Sequence, residues 1–217
     1  MKEDMNKISV LMPVFLGDYP FAATEREAKF KRAVDSFIAQ EYQEKELLIV
    51  SDGCERTIIC AAQYTFHPNI KIHQIPKQEL FSGVVRNTAL FYATGDIICY
   101  LDADDILGKG HLQAIANGFN SNPDAAWIYF DDYIIYRFNP QNREVLSKAK
   151  RVVSLEGGII GTSSIAHRKL PEYSWAFCDG YGHDWTFIQK LINSGKAHTK
   201  IDGCEYYVCH IPNSVDC

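Results

Sequence analysis

Short apolar runs alternate with amphipathic stretches through the first two thirds of the chain. Residues 8–15 (ISVLMPVF) form a continuous apolar, β-rich run of the kind that buries both faces of a strand. Pro13 sits inside it, and a proline that cannot donate to a ladder predicts that pairing ends there. After a loop holding Gly17 and Pro20, Thr24 precedes a helical stripe of Ala28, Ala33, Val34, Phe37 and Ile38. A second apolar run, 46–51, stops at Asp52-Gly53, and a helix is expected over 55–64. A third strand, 70–75, is stopped by Pro76. A helix over 83–93 ends at Thr94-Gly95, and a fourth buried strand, 96–101, runs directly into Asp102-Ala103-Asp104-Asp105. Residues 111–119 read as a helix and 125–130 as a strand.

This alternation predicts an α/β fold, with a mostly parallel, doubly wound sheet flanked by helices. Beyond residue 130 the periodicity weakens. Residues 133–151 suggest a hairpin or loop, 157–161 a glycine-rich bend, 183–193 a helix ended by Gly195, and 205–210 a final strand. No internal repeat or Pro/Gly/Ser-rich linker interrupts the chain. The expectation is one domain over 1–217, with a ligand-binding half at about 8–130 and a more specialised half at about 131–217.

Charge and composition narrow the classes. With 22 Lys+Arg against 27 Asp+Glu, the net charge of −5 argues against a general nucleic-acid binder. Hydrophobic residues make up 47%, ample for a core and too many for disorder. No apolar run approaches the roughly 18–20 residues of a membrane span, so any membrane contact would be peripheral. The first seven residues are polar and acidic, unlike a secretory signal. The seven cysteines are odd in number and lack C-x-x-C spacing. They read as buried thiols of a reduced, cytoplasmic protein rather than a zinc site.

The chemistry concentrates at strand ends, where open α/β sheets bind ligands. Asp102, Asp104 and Asp105 follow the fourth strand. Three adjacent carboxylates repel unless a cation offsets them, and Mg²⁺ or Mn²⁺ prefers such oxygen donors. In an extended chain Asp102 and Asp104 would share a side. The competing reading, capping of the helix that begins near Lys109, accounts for one acid and not three. Asp52 ends the second strand, where an acid can bond a ribose or base, or simply form a turn before glycine. Arg86 opens a helix and suits a phosphate, with an ordinary surface arginine as the alternative. Asp184 lies in the first turn of its helix, where the dipole favours an acid; it also suits a general base beside a pocket. His183 is the alternative base. His210 reads either as a metal ligand or as an internally bonded histidine. P-loop, G-x-S-x-G and G-x-G-x-x-G motifs are all missing.

Taken in order, these segments resemble a family 2 glycosyltransferase of the GT-A fold. The resemblance rests on ISVLMPVF (8–15), AVDSFIAQ (33–40), LIVSDGC (48–54), RNTA (86–89), ATGDII (93–98), LDADD (101–105, similar to a D-x-D motif) and GHDW (182–185). It implies a nucleotide-sugar donor, by default a UDP-sugar, and a glycan or lipid-linked acceptor. It implies that Pro13 and Phe15 line the donor pocket, with Phe15 against the nucleobase and Asp52 bonded to it. Arg86 would touch the nucleotide or its diphosphate, Asp102 the ribose or metal, and Asp104 the metal. Asp184 would take the acceptor's proton, with inversion. Departures from the pattern are Ser51, Cys54, a long 16–26 loop, and His183 where the family commonly has glutamate. Alternatives are a sugar-phosphate nucleotidyltransferase, whose basic glycine-rich first loop is missing here, and a non-catalytic nucleotide-sugar-binding module of a longer protein.

Overall fold

The computed structural model describes residues 6–20, 22, 24–79, 82–138, 145–176, 178, 180, 182–211 and 215–216. Its main sheet has seven strands: β1 (Ile8–Val14), β2 (Lys45–Asp52), β3 (Ile70–Ile75), β4 (Ile97–Tyr100), β6 (Trp127–Phe130), β9 (Ile165–Arg168) and β10 (His198–Ile201). Their order is β10-β6-β9-β4-β1-β2-β3, and only β9 runs antiparallel to its neighbours. A second sheet, in the order β5-β11-β7-β8, joins β5 (Ile106–Leu107), β7 (Asp132–Phe138), β8 (Val145–Arg151) and β11 (Tyr206–Val208). Two short strands, β12 (His210–Ile211) and β13 (Val215–Asp216), pair with each other.

Both faces of the main sheet are covered, which is why its central strands are apolar throughout. Alternate side chains of β1 enter different cores. Val10 and Met12 pack with Phe30, Val34 and Phe37 of α1 (Arg26–Ile38), with Ala61 of α2 (Glu55–Ala61), and with Ile115 and Phe119 of α4 (His111–Ser121). Leu11 packs on the other face with Val85 and Ala89 of α3 (Gly83–Tyr92) and Phe187 of α5 (His183–Asn193). The buried stripe of α1 runs through Phe30 rather than Ala28 and Ile38, which are exposed.

Pairing does not end at Pro13. On the β2 side it continues to Val14↔Ser51. Leu11 O accepts Leu101 N–H, so alternation turns Pro13 toward β4, which stops at Tyr100. The missing N–H therefore falls where no partner strand remains. The chain order reverses between β1 and β4, and ligands of open α/β sheets bind at such a switch point.

Candidate functional site

The C-terminal ends of β1, β2 and β4 open on a cavity of about 490 Å³. Pro13, Phe15, Asp52, Arg86, Asp102, Asp104, His183 and Asp184 all line it, joined by Tyr19, Arg26, Lys77 and Ser82. The fold thus gathers the site residues expected from sequence except Asp105, which turns to Tyr206 and Cys209, and His210. The His210 side chain lies outside the described residues, although its backbone pairs with Asp216.

Arg86 organises the centre. It lies on the buried face of α3, and is a buried residue rather than a surface arginine. Nη2 donates to Asp102 Oδ1 and Nη1 to Asp184 Oδ1, both at 3.0 Å. Nη1 also donates to the Ser82 hydroxyl and meets His183 Nε2 at 2.6 Å. Burial works against the guanidinium's charge, but the two carboxylates outweigh it and keep Arg86 firmly protonated. The Trp175 ring packs against the guanidinium and lies parallel to Phe187, 4.2 Å away.

Asp184 enters the cavity from the first turn of α5, whose N-cap is Gly182 at φ +89°. Burial raises its affinity for a proton. Arg86 and His183 outweigh that and hold the carboxyl well below the usual carboxylate range. It is therefore ionised at any working pH.

Asp102 and Asp104 do not lie along an extended strand. The chain turns there, with Asp105 N–H donating to Asp102 O, and the turn still delivers both acids to the cavity. Neither caps α4, whose N-cap is Gly110. Burial and the neighbouring Asp102 carboxylate push Asp104 up to about 6. Asp105 points elsewhere. It accepts from Tyr206 Oη at 2.9 Å and from Cys209 N at 2.8 Å, and Tyr206 Oη accepts Asp102 N–H at 3.0 Å. This third acid is a strut between the turn and β11.

Among the described residues, no three His, Cys, Asp or Glu side chains converge as a metal site. The donor set fits a different arrangement. Two hard carboxylates facing an open cavity suit a divalent ion that completes its coordination with substrate phosphates and water. Among the described cysteines, Cys54, Cys60, Cys99 and Cys204 are free, buried thiols, and Cys178 and Cys209 are buried as well.

Asp52 lines the same cavity from the last position of β2. Its Oδ1 accepts Gln78 N–H at 2.7 Å, and Oδ2 pairs with Lys77 Nζ at 2.6 Å. Tyr19 is half exposed, with its ring 6.2 Å from that of Phe15 and with the Arg26 guanidinium 5.1 Å from its centre. Sequence reasoning missed Lys77, Tyr19 and Ser82. A polar residue in a loop carries no periodicity, and only the fold brings these three to the cavity.

A cavity at a sheet switch point, lined by clasped acids and an aromatic ring, lies where open α/β sheets bind their ligands. The sequence profile of Glycosyl transferase family 2 matches residues 9–169, and the chain belongs to that family. It is similar to the uncharacterized glycosyltransferase YibD of Escherichia coli K12, at 26% identity over 106 residues, covering 48% of this chain and 28% of that protein. It is also similar to an Escherichia coli UDP-Gal:alpha-D-GlcNAc-diphosphoundecaprenol beta-1,3-galactosyltransferase, at 22% identity over 86% of this chain and 66% of that one. Among solved structures, S. aureus TarS 1-349 in complex with UDP-GlcNAc superposes with a TM-score of 0.66 at 18% identity. That match covers 93% of this chain and 58% of the TarS chain, and it establishes a shared GT-A fold. The chain spans less than a third of YibD and well under two thirds of the TarS fragment.

Proposed function

We propose that this domain transfers a sugar from a nucleoside-diphosphate sugar, UDP-linked by preference, to a hydroxyl of a glycan or lipid-linked glycan acceptor. The observation that carries this reading is the Arg86 clasp. One buried guanidinium holds Asp102 and Asp184 on the same cavity in a family 2 chain. The UDP-GlcNAc bound by TarS and the UDP-Gal in the name of the E. coli relative support the choice of donor.

In this reading the nucleobase stacks on Phe15 and bonds Asp52, while the ribose and diphosphate run toward Asp102 and Asp104. Asp104, with Asp102, would hold Mn²⁺ or Mg²⁺, which supplies Lewis-acid stabilisation of the departing diphosphate. Asp184 is ionised and so is already in its proton-accepting form. It takes the proton of the acceptor hydroxyl as that oxygen bonds to the anomeric carbon and the bond to the diphosphate oxygen breaks. Attack from the side opposite the leaving group inverts the centre. Acceptor choice falls to residues 131–217. The buried thiols support a reducing, cytoplasmic setting, and peripheral contact with a membrane is part of this reading. No described helix is long and apolar enough to cross a membrane.

The experiment is a thermal-shift screen of UDP, UDP-GlcNAc and UDP-Gal with and without Mn²⁺, followed by an assay of UDP release. A ligand that binds only the folded state must raise the melting temperature. Asp184→Asn is expected to keep that shift and lose turnover. No shift with any nucleotide sugar sinks the donor reading, and wild-type turnover in Asp184→Asn removes it as the base.

A further inference from the structure

Asp132 is fully buried at the first position of β7, and both of its carboxylate oxygens are engaged. Oδ1 accepts Arg151 Nε at 2.7 Å and Oδ2 accepts Arg151 Nη2, so the guanidinium across the β7–β8 ladder grips the group with two arms. Oδ2 also accepts the hydroxyls of Ser163 and Ser164, at 2.6 and 2.7 Å. Those serines belong to a single 3₁₀ turn, Thr162–Ser164, in which all three residues are buried. Arg151 Nη2 reaches the Ser163 hydroxyl as well, at 3.2 Å.

The remaining residue of that turn, Thr162, bonds Asp184. Its amide N–H and its hydroxyl both donate to the carboxylate, the hydroxyl to Oδ2 at 3.4 Å. Oδ1 of Asp184 is already held by Arg86 Nη1 at 3.0 Å, with His183 Nε2 at 2.9 Å. A carboxyl group turns readily about its last bond, because that torsion is broad rather than staggered. Its plane is therefore set by what its two oxygens bond. Arg86 and His183 fix one edge of the group, and Thr162 fixes the other. A general base must bring a lone pair within hydrogen-bond reach of the proton it takes, so the plane of Asp184 decides whether it can act.

We propose that Asp132 is a positioning residue for the base: through Ser163 and Ser164 it holds the 162–164 turn, and Thr162 of that turn holds the plane of the Asp184 carboxylate. This deepens the reading of Asp184 as the base and rests on it. A 3₁₀ helix has three residues per turn, so neighbouring side chains leave it on different sides. Asp132 takes the two consecutive serines, and Thr162 is left for Asp184. Asp132 and Ser164 are 32 residues apart, and Thr162 and Asp184 are 22 apart, so neither contact is set locally. Stability alone does not call for this arrangement, because apolar side chains of similar volume often replace a buried ion pair without loss. A carboxylate supplies direction, which an apolar side chain cannot, and here it directs two hydroxyls at once. Asp132 is not among the residues that line the cavity. Its contribution is to the geometry of the base, and so to turnover rather than to donor affinity.

The test is steady-state UDP release from the nucleotide sugar that wild type turns over, measured on three variants. Ser163→Ala/Ser164→Ala removes both hydroxyls and leaves the Asp132–Arg151 pair in place. Ser163→Ala alone is a milder form of it, and Asp132→Asn keeps the shape of the side chain and removes its charge. Thermal unfolding checks that each is folded, and the serine variants carry the test if Asp132→Asn is not. In the double variant and in Asp132→Asn, kcat is expected to fall about tenfold, and in Ser163→Ala about threefold. The donor KM and the calorimetric affinity for UDP should stay within about twofold of wild type. Wild-type kcat in the folded variants overturns the proposal even where the melting temperature drops, since the network would then serve stability only. A loss carried by KM overturns it as well. Asp184→Asn separates the two readings. If it turns over like wild type, the base assignment itself fails, and the role of Asp132 falls with it. If it is inactive beside fully active serine variants, the positioning role alone is overturned.

Discussion

The Trp175 indole packs against Arg86, with the guanidinium carbon 4.8 Å from the ring centre. The indole is itself fixed by a directional chain. Trp175 Nε1–H donates to Tyr100 Oη at 3.1 Å, and Tyr100 O–H donates to His167 Nε2 at 2.8 Å. His167 Nδ1–H then donates to Arg168 O, also at 2.8 Å. Every polar atom in this buried series has a partner, which is the condition under which such networks confer order. Trp175→Phe keeps an aromatic ring and loses one hydrogen bond, so it should cost about 1 kcal/mol of stability and leave most activity. Trp175→Leu removes the flat support under Arg86. Its turnover should fall at least about tenfold with donor affinity nearly unchanged, as expected when a reacting group is misplaced. Steady-state kinetics on both variants, with denaturant unfolding alongside, checks this; equal losses in the two would refute the role of the ring.

Arg86 also sets the pH range of the proposed base. Asp184 is held below the usual carboxylate range by Arg86 and His183, so the acid limb of the wild-type rate profile should lie at unusually low pH. Arg86→Gln removes the cation, and burial then dominates and raises the Asp184 carboxyl. Activity that needs ionised Asp184 must accordingly be lost at a higher pH in the variant. A rate–pH profile of kcat/KM measures the displacement, and an unmoved acid limb would show that Asp184 is not the titrating group. The variant also brings two carboxylates together without their counter-ion, and breaking such a buried pair costs about 3–5 kcal/mol.

Tyr206 connects the acid turn to the second sheet. Its hydroxyl accepts Asp102 N–H and donates to Asp105. Tyr206→Phe leaves the Asp102 N–H and one Asp105 carboxylate oxygen without this partner, while Cys209 N–H still holds the other oxygen, a penalty of about 1–3 kcal/mol. The loosened turn should also raise the Mn²⁺ concentration needed for half-maximal activity. Metal titration of UDP release tests this; an unchanged metal requirement would make Tyr206 purely a stability residue.

Two buried histidines predict how the fold responds to acid. Burial pushes His111 down to about 3 and His167 down to about 4. Both are neutral in the native protein, whereas the unfolded chain protonates them below about pH 6.5. The unfolded state therefore binds more protons as pH falls. Stability should decline from about pH 6.5 downward, by up to about 1.4 kcal/mol per pH unit for each histidine, and the decline levels off near the native values. Glu46 adds a second loss at lower pH. Burial would raise its carboxyl, but Lys71, Ser9 and Thr94 together bring it down to about 2, so its contribution is present above about pH 4.5 and fades below. Urea unfolding from pH 7 to 4 measures the slope. Leucine at 167 should flatten it, and an unaltered slope in that variant would rule out His167 as a source.

The first four main-sheet strands could be read from the chain because a strand covered on both faces must be apolar throughout. β2 is buried at every position from Lys45 to Asp52. The strands that escaped notice lack that signature. β10 alternates exposed and half-buried residues at the sheet's edge, and β9 carries His167 and Arg168 into a ladder four residues long. β5 has two residues and no pattern to find. The site divides in the same way. Asp52, Arg86, Asp102, Asp104 and Asp184 stand out because a charge beside an apolar run needs explaining. The burial of Arg86, the outward turn of Asp105 and the closeness of Lys77 to Phe15 depend on packing between elements distant in the chain, which no local pattern records.

The strut from β11 has a consequence for how the protein is made. Asp102 and Tyr206 are 104 residues apart, as are Asp105 and Cys209. A ribosome releases the acid turn long before it releases the residues that clamp it. Main-sheet strands β1 to β4 can assemble while the turn still hangs loose, since domains made from the N-terminus begin to fold during synthesis. The acid end of the cavity takes its final shape only once residues 206–209 have emerged. A nascent chain halted before residue 206 would carry a recognisable sheet and an unfinished pocket.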